Sequence, residues 1–526
     1  MIRLASILFV ILILPLNVMA AEISDQGAQK LKTSFEDILA YQKEVNEAFG
    51  SVRVIYEGEL TVKQESEYYT ITLPRILLKN PEITPAQYNE KTKTKDQTFD
   101  MGVISINAMP DDKAGYWKMV WALPESMTMS SETEEDFTIS FGSQNVIALF
   151  DDTLGYFTKL NMNLSDVHFK IGEQDTGTSI GNLQLYTNLD RGETGTFSGP
   201  GHFLISNLFI VKPEDGISIK TEELKISSTV TDLVLPTLLE YKAKLLKHAG
   251  VFDSLENIDN ESDAKDIDSQ SVLDMMLDMY DIQMSSINVK YNLKNIEIIS
   301  TAEAEAKNED DDLKSVKIGS AFIEFGSDNI NTENGTLHIK MGHDALDIQS
   351  DNPLMLSAFL PTHTNLDVRA ENIPYSTLSK MIKNSAAALV ENPSSAVMVG
   401  FTTLMKLPAI LSQANTQLIV KDNIIKNNVY DISLNGKVIT DITAVMGFSA
   451  KFKTVFKGLD DLLSKVPRDP ENEEAVNTIK QLEKLKSLGK VSTDENGKTV
   501  YTFDFEANPQ GSFTLNGQDT STIDFD

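Results

Sequence analysis

Six histidines are the first candidates for metal or acid–base chemistry in this 526-residue chain: His168, His202, His248, His338, His343 and His363. The closest pair, His338 and His343, sits five residues apart around Gly342 in an apolar-alternating segment. An odd spacing on a strand sends the two rings to opposite faces, so they cannot share an ion. A helical HExxH zinc signature is missing. Two acidic runs offer oxygen ligands instead. Asp253 to Asp268 carries seven carboxylates against one lysine, and Glu303 to Lys314 includes Glu309-Asp310-Asp311-Asp312. Calcium wants several oxygens within one short loop. Asp259, Glu261 and Asp263 have the alternation, but neither the glycine that turns an EF-type loop nor its closing glutamate. Both runs therefore read as solvated loops.

Nucleophilic and phosphate chemistry fare no better. There is no GxSxG elbow, no GxxxxGK phosphate loop and no dinucleotide fingerprint after a strand. Gly199-Pro200-Gly201-His202 could serve a flexible active-site loop, but a tight turn ahead of Phe203-Leu204-Ile205 explains it. With 77 acidic residues, no spacing singles out a hydrolase pair. Cysteine is absent, which removes disulfides, thiolate zinc and lipid attachment at a signal-proximal cysteine. The sequence thus nominates no catalytic, cofactor-binding or metal-binding residue and no cofactor. A formal charge of −31 and a pI near 4.6 argue against a nucleic-acid partner, because phosphate binding needs clustered lysine and arginine.

What carries these residues begins with an export signal. Arg3 precedes an apolar run from Leu4 to Leu16, and Val18-Met19-Ala20 ahead of Ala21 suits signal-peptidase cleavage after Ala20. The run contains Pro15 and falls short of the roughly 20 apolar residues that cross a bilayer, so a retained anchor is the lesser reading. No other stretch reaches transmembrane length, and the mature chain is expected in the periplasm.

Strands dominate the remainder. A two-residue apolar period marks Tyr69-Ile71-Leu73, Leu160-Met162-Leu164, Ile217-Ile219, Ile287-Val289-Tyr291-Leu293, Leu337-Ile339-Met341, Tyr430-Ile432-Leu434 and Tyr501-Phe503-Phe505. The phase slips by one after Leu164 and after Leu293, which predicts β-bulges near Asp166 and Lys294-Asn295. Helical spacing predicts an amphipathic helix over 25–49 and further helices over 233–249, 271–283, 376–390 and 396–414, the fourth of the set bracketed by Pro374 and Pro393. Asp469, Pro470 and the glutamates after them open a last helix over 469–488, closed by Gly489. These helices are expected to cover sheet. Ten core residues follow from the pattern: Leu73, Trp121, Phe141, Leu164, Ile219, Val289, Ile339, Ile432, Leu482 and Phe503.

The organisation expected is a signal peptide (1–20), a β-rich half with the first helix (21–252), an acidic linker (253–270) and a second β-rich half (271–526) containing helices 376–414 and 469–488. Ile139–Ile147 and Ile323–Asn331 agree at five of nine positions, which raises a duplicated sheet module. The fold class is α+β: large curved antiparallel β-sheets covered by a few amphipathic helices.

The C-terminal region also carries a resemblance. Ser433-Leu-Asn-Gly-Lys437, Phe456-Lys-Gly-Leu-Asp-Asp-Leu-Leu463, the helix ending at Leu488, the turn Asp494–Gly497, the strand Thr499–Phe505 and Gly511-Ser-Phe-Thr-Leu-Asn-Gly517 follow in an order that resembles the YdgA-like envelope proteins of Gram-negative bacteria. Tyr69–Pro74, Trp121–Pro124 and Phe141–Ser143 resemble related alphaproteobacterial proteins. The resemblance implies a long curved antiparallel sheet with helices on one face, exported to the periplasm. It supplies no catalytic residues. The expectation is a non-enzymatic envelope protein that binds an apolar ligand, such as a lipid acyl chain, or a protein partner. The alternatives are a structural or interaction protein without ligand, a secreted hydrolase, and an outer-membrane barrel, which the capped helices and the terminal Asp526 oppose.

Overall fold

The computed structural model describes residues 23–48, 52–79, 97–113, 115–131, 135–212, 217–256, 271, 275, 283–300, 313–350, 358–391, 396–468 and 473–523. They form a sheet-rich α+β fold in which every registered strand pair is antiparallel. The chain divides into two compact units, Met1–Phe209 with Val230–Gln283, and Ile210–Thr229 with Met284–Asp526.

In the first unit, helix α1 (Asp25–Ala48) is followed by β1 (Arg53–Glu57), β2 (Thr61–Gln64), β3 (Tyr69–Thr72), β4 (Arg75–Lys79), β5 (Gln97–Asp100), β6 (Ser105–Pro110), β7 (Tyr116–Ala122) and β8 (Ser126–Ser131). These eight short strands act as four two-part ones. β1 pairs with β4 while β2 pairs with β3, and the same doubling joins β4 to β5, β3 to β6, β5 to β8 and β6 to β7. Long β9 (Phe137–Asp151) takes both β7 and β8 along one side. Then β10 (Tyr156–Ile171), β11 (Gln174–Asn188), the short β12 (Asp190–Arg191) and β13 (Phe197–Lys212) continue the meander.

The breaks fall on one line across the strands, and three of the four have a chemical cause in a proline or a glycine. Pro74 and Pro124 cannot donate to a ladder. Gly102 lies between them with φ +70, and a Cβ there would stand 2.7 Å from the Pro124 ring. Where β7 and β8 part, the Gln144 side chain of β9 stands in for a backbone partner. It accepts from Leu123 N–H and donates to Leu123 O, both at 2.6 Å. Farther along, Asp166 of β10 (φ +52) faces Gly142 of β9, and Asn207 of β13 (φ +52) abuts Gly181 of β11. Asn and Asp tolerate this left-handed backbone better than other side chains.

Helix α1 covers the apolar face of these strands. Ser24 Oγ caps it by accepting from Gly27 N–H at 3.1 Å. Leu31, Phe35 and Ile38 are fully buried, as are Tyr69, Ile71, Trp117 and Met119 on the strands. Two tyrosines pin the helix. Tyr69 Oη accepts from Ser24 N–H at 2.8 Å, and Tyr56 Oη donates to Leu39 O at 3.0 Å. Helix α2 (Leu238–Glu256) packs against α1, with Lys242 Nζ 2.6 Å from a Glu44 carboxylate oxygen.

The second unit is again a meander, to which β14 (Ile217–Leu233) contributes its residues up to Thr229. It continues with β15 (Ser286–Ser300), β16 (Leu313–Asp328), β17 (Gly335–Asp344) with its short extension β18 (Asp347–Ser350), and β19 (His363–Ile373). Helices α3 (Tyr375–Glu391) and α4 (Ala396–Gln413) interrupt it before β20 (Gln417–Lys426), β21 (Asp431–Thr440) and β22 (Phe448–Lys457). Helices α5 (Leu459–Lys465) and α6 (Glu473–Leu488) interrupt it again before β23 (Lys490–Thr493), β24 (Thr499–Ala507), β25 (Phe513–Leu515) and β26 (Gln518–Asp519). Leu459 and Leu462 of α5 and Leu482, Leu485 and Leu488 of α6 close a core on Tyr430, Phe456, Tyr501 and Phe503. Asp460 locks it: Lys486 Nζ lies 2.6 Å from one carboxylate oxygen and Tyr501 Oη donates to both at 3.1 Å.

Several expectations change. No residue is inserted at Asp166 or Asn295. Each takes a left-handed φ, and pairing runs through Asp166 to both neighbours and through Asn295 to β16; an irregularity near Asp166 is nonetheless present, as expected, where the register of β10 with β11 shifts between His168 and Lys170. Asn295 (φ +47) faces Gly319, which in turn abuts Ala345 (φ +53). Gly199-Pro-Gly-His202 is not a turn but part of β13; Gly199 is bare because a Cβ would stand 1.9 Å from Asn188 O. The helix expected over 233–249 runs 238–256, so Asp253–Glu256 belong to its end, while 257–270 lie outside the described residues. So do most of 271–283, the acidic run up to Asp312 and the capping segment 469–472. The matched segments also differ: 139–147 lies inside β9, whereas 323–331 leaves β16 into a turn at Asn329.

Two expected outcomes follow. Phe35→Ala should lower stability by about 3–5 kcal/mol, the usual cost of an aromatic-sized cavity, read as an earlier denaturant midpoint. At Asn295, a β-branched residue should cost about 1–2 kcal/mol and glycine far less; equal midpoints for Asn295→Ile and Asn295→Gly would contradict the left-handed assignment.

Candidate functional site: an open apolar sheet face

Directly paired residues share a face of a sheet, so the register sorts every side chain of the second unit. One row reads Val289, Phe325, Ile339, Val368, Val420, Gly436, Phe452 and Phe505 across β15, β16, β17, β19, β20, β21, β22 and β24. The glycine is required there, because the Phe452 ring lies over it and a Cβ would meet the ring at 2.2 Å. A second row reads Tyr291, Ile323, Met341 and Leu366. A third reads Ile287, Ser327, Leu337, Ala370, Leu418 and Val438. The face is therefore almost wholly hydrocarbon.

The opposite face is charged. Lys290, Glu324, Lys340 and Asp367 pair in a row, flanked by Asn288, His338 and Arg369. Asn288 Nδ2 donates to Glu324 Oε1 at 3.0 Å, His338 Nε2 lies 3.4 Å from the same oxygen, and Lys290 Nζ is 3.8 Å from Oε2. Burial pushes the Glu324 carboxyl up, but Asn288, His338, Lys340 and Lys290 outweigh it and hold the group below the ordinary carboxylate value. Arg369 grips Asp367 through Nε and Nη2 at 3.0 and 2.8 Å and, through those hydrogen bonds, holds it low as well. Every charge here has its counter-ion close by. The arrangement is a neutralised polar ladder, not a poised acid–base pair.

Cover is what distinguishes the apolar face along its length. Helices α5 and α6 close the end over Ile425, Ile432, Phe456, Tyr501 and Phe503. Helix α3 starts at the other end of the strands, where Tyr375 Oη meets Ser327 Oγ at 2.8 Å. Between them Tyr291, Phe325, Leu337, Met341 and Leu418 are 38–45% exposed, and all five belong to the hydrocarbon face. Five strands at normal spacing make this opening about 19 Å wide, and residues 287 to 293 run about 20 Å along it.

Of the ten expected core residues, Leu73, Leu164 and Phe503 are buried. Trp121, Phe141, Ile219, Val289, Ile339, Ile432 and Leu482 are only half-buried. Their period places them on the dry side correctly, but periodicity does not say whether anything lies on top. Phe325, Val368 and Leu418, unremarked in the sequence, follow the same two-residue period and could have been named by it.

His338 and His343 point to opposite faces, as their odd spacing requires: His338 joins the Glu324 ladder, while His343 lies on the apolar face and meets Thr364 Oγ1 at 3.0 Å. Burial, and then the neighbouring His363, hold the His343 imidazole below the ordinary histidine value, and its Nδ1 is buried without a hydrogen-bond partner. His202 stacks on Tyr186 at 4.9 Å with its Nε2 3.1 Å from Gln184 Oε1. Among the described residues, no three His, Asp or Glu side chains converge as metal ligands would. No family model matches the chain, and no curated protein or solved structure is similar to it.

His343 yields a pH prediction. A depressed histidine value means that the unfolded chain takes up its proton first, so stability present above about pH 6.5 falls as the pH drops below it. His343→Gln keeps a partner for Thr364 and should flatten that fall below about pH 6.5. Superimposable midpoint-against-pH curves for the two proteins would refute the assignment.

Proposed function

We propose that this is an exported, non-enzymatic protein of the periplasm whose second unit carries an apolar ligand, an acyl chain, along the open face of β15–β20. The observation that carries the reading is the group Tyr291, Phe325, Leu337, Met341 and Leu418, large apolar side chains left 38–45% exposed side by side on one sheet face. Contiguous exposed hydrocarbon of this extent marks a binding surface in a soluble chain. An acyl chain suits it because the face offers length and dispersion contacts but almost no hydrogen-bonding groups, so it can select for hydrocarbon and not for a polar head. Each methylene laid on it would gain at most about 0.8 kcal/mol.

The signal-like residues 1–20 and the resemblance of the C-terminal region to YdgA-like envelope proteins support the compartment. The paired charges of the polar ladder support a role without catalysis. Among the described residues no helix is long and apolar enough to cross a membrane.

Native mass spectrometry of the protein purified from its host, followed by organic extraction, should reveal a bound lipid, and a fluorescent fatty acid should titrate in saturably. Phe325→Glu with Leu337→Glu should weaken that uptake about tenfold or more while leaving the unfolding midpoint nearly unchanged, since both side chains are already half in water. Absence of lipid together with non-saturable uptake would defeat the proposal.

A further inference from the structure

The first unit has a face of a different kind. Helix α1 covers one side of its strands, where Trp117 and Met119 are buried, and alternation turns the residues between them outward. Val120 and Ile147, paired on neighbouring strands, are accordingly 46% and 47% exposed. From β9 to β13 the first outward row reads Ile147, Asn161, Tyr186 and His202. The next reads Asn145, Asn163, Gln184 and Leu204, and the third Ser143, Ser165, Asn182 and Ser206. Ten of these twelve side chains can hydrogen-bond, and none is Asp, Glu, Lys or Arg.

Contact with water does not require such a composition. The polar face of β15–β19 meets solvent with Lys290, Glu324, Lys340, Asp367 and Arg369 instead. Around the array in the first unit, charge returns only at the margins. Lys118 and Lys159 lie on one side, held by Asp111 at 2.9 Å and Asp190 at 2.7 Å, and Glu125 and Asp166 lie on the other. The lysines are already neutralised and the array has no charge of its own, so it is built to hold neither an anion nor a cation.

Part of the array is joined by its own hydrogen bonds. Gln184 Nε2 donates to Asn161 Oδ1 at 3.2 Å, and His202 Nε2 lies 3.1 Å from Gln184 Oε1. Beside them Asn163 Oδ1 and Asn182 Oδ1 are buried acceptors without a hydrogen-bond partner. Such groups destabilise a fold and are rare in one. Here two of them stand on adjacent strands of one face. The last torsion of an Asn side chain is soft, so a small rotation brings each oxygen to a donor above the sheet. In the first row Tyr186 stacks on His202 at 4.9 Å, adding a flat aromatic pair.

Uncharged donors set close together on a ring with a C–H face are the chemistry of sugars. Amides match hydroxyls because both donate and accept, and an aromatic face takes the C–H side of a pyranose ring. Four strands make the platform about 14 Å wide, and residues 143 to 147 run about 13 Å along it, room for more than one ring. We infer that the outer face of β9, β10, β11 and β13 binds a neutral carbohydrate chain. This surface belongs to the first unit, and it stands whether or not the second unit carries an acyl chain.

An array of immobilised neutral oligosaccharides of hexose and N-acetylhexosamine, with sulfated and uronic-acid oligomers beside them, tests the inference on the full chain. Neutral glycans should retain the protein, and retention should persist when salt is raised to about 0.5 M, since no ion pair is involved. Asn163→Leu with Asn182→Leu should lower retention about tenfold or more without lowering the unfolding midpoint, because each change replaces an unpaired acceptor with hydrocarbon of similar shape. Tyr186→Ala should lower retention independently, whereas Phe325→Glu with Leu337→Glu, which addresses acyl uptake, should leave it intact. Protein retained by none of the neutral glycans, or by the anionic ones alone, would overturn the inference. So would retention that both Asn163→Leu/Asn182→Leu and Tyr186→Ala leave unchanged. A wild-type dimer that the double variant converts to monomer would overturn it as well, because the face would then be a seam between two copies.

Discussion

The constraint behind this structure is that a sheet solves its hydrogen bonding and its hydrophobic burial separately. An antiparallel meander satisfies nearly every backbone donor and acceptor through neighbours in the chain, so it can be extended strand after strand at little topological cost. Each added strand also adds an apolar stripe on one face. That stripe needs a cover, and cover comes only from helices or loops inserted between strands. In the first unit a single long helix, α1, lies against strands whose Tyr69, Ile71, Trp117 and Met119 are buried. In the second, α5 and α6 close one end, and Tyr291, Phe325, Leu337 and Met341 stay half in water. A sheet folded only for stability gains nothing from leaving them so.

The polar face shows that the asymmetry is not a packing accident. Across the same strands, behind those apolar rows, Glu324 is met by Asn288 and Lys290 and Asp367 by Arg369 and Lys340, within hydrogen-bonding or ion-pairing reach. Charges are neutralised where they are partly desolvated, which keeps the solvent side quiet chemically. Specific chemistry is thus removed from one side while the other is kept as plain hydrocarbon. The two sides together leave one polar face with its charges paired and one face of plain hydrocarbon.

Much of this was legible in the sequence, because strand periodicity is a local property. Tyr291 and Met341 fall on the dry face by their spacing alone, His338 and His343 on opposite faces by theirs, and α1 by its three- and four-residue repeats. What the sequence concealed depends on partners far along the chain. The phase slip at Asp166 reads as an inserted residue when one strand is considered; only the matching Gly142 and Gly181 on the neighbouring strands reveal that pairing runs through Asp166 itself and shifts two residues later, between His168 and Lys170. Likewise Gly199 looks like a turn until Asn188 O is found where its side chain would be. The open face was hidden for the same reason. Alternation says which side of Val289 and Ile339 is apolar, and only the placement of the helices says that, among the described residues, none covers it there.

The two exposed hydrocarbon surfaces of the second unit differ in a way that bears on their roles. On the sheet, the side chains are 38–45% exposed, held shoulder to shoulder by cross-strand neighbours in rows fixed by backbone hydrogen bonds. Such a surface is rigid and pre-organised, so a flexible chain laid on it supplies most of the entropy lost on binding. On α4 the side chains are 65–69% exposed, methionine-rich and standing clear of the helix, free to change rotamer. A hydrocarbon floor ordered by its strands and a hydrocarbon stripe standing out from a helix therefore lie within one compact unit as two surfaces of different character.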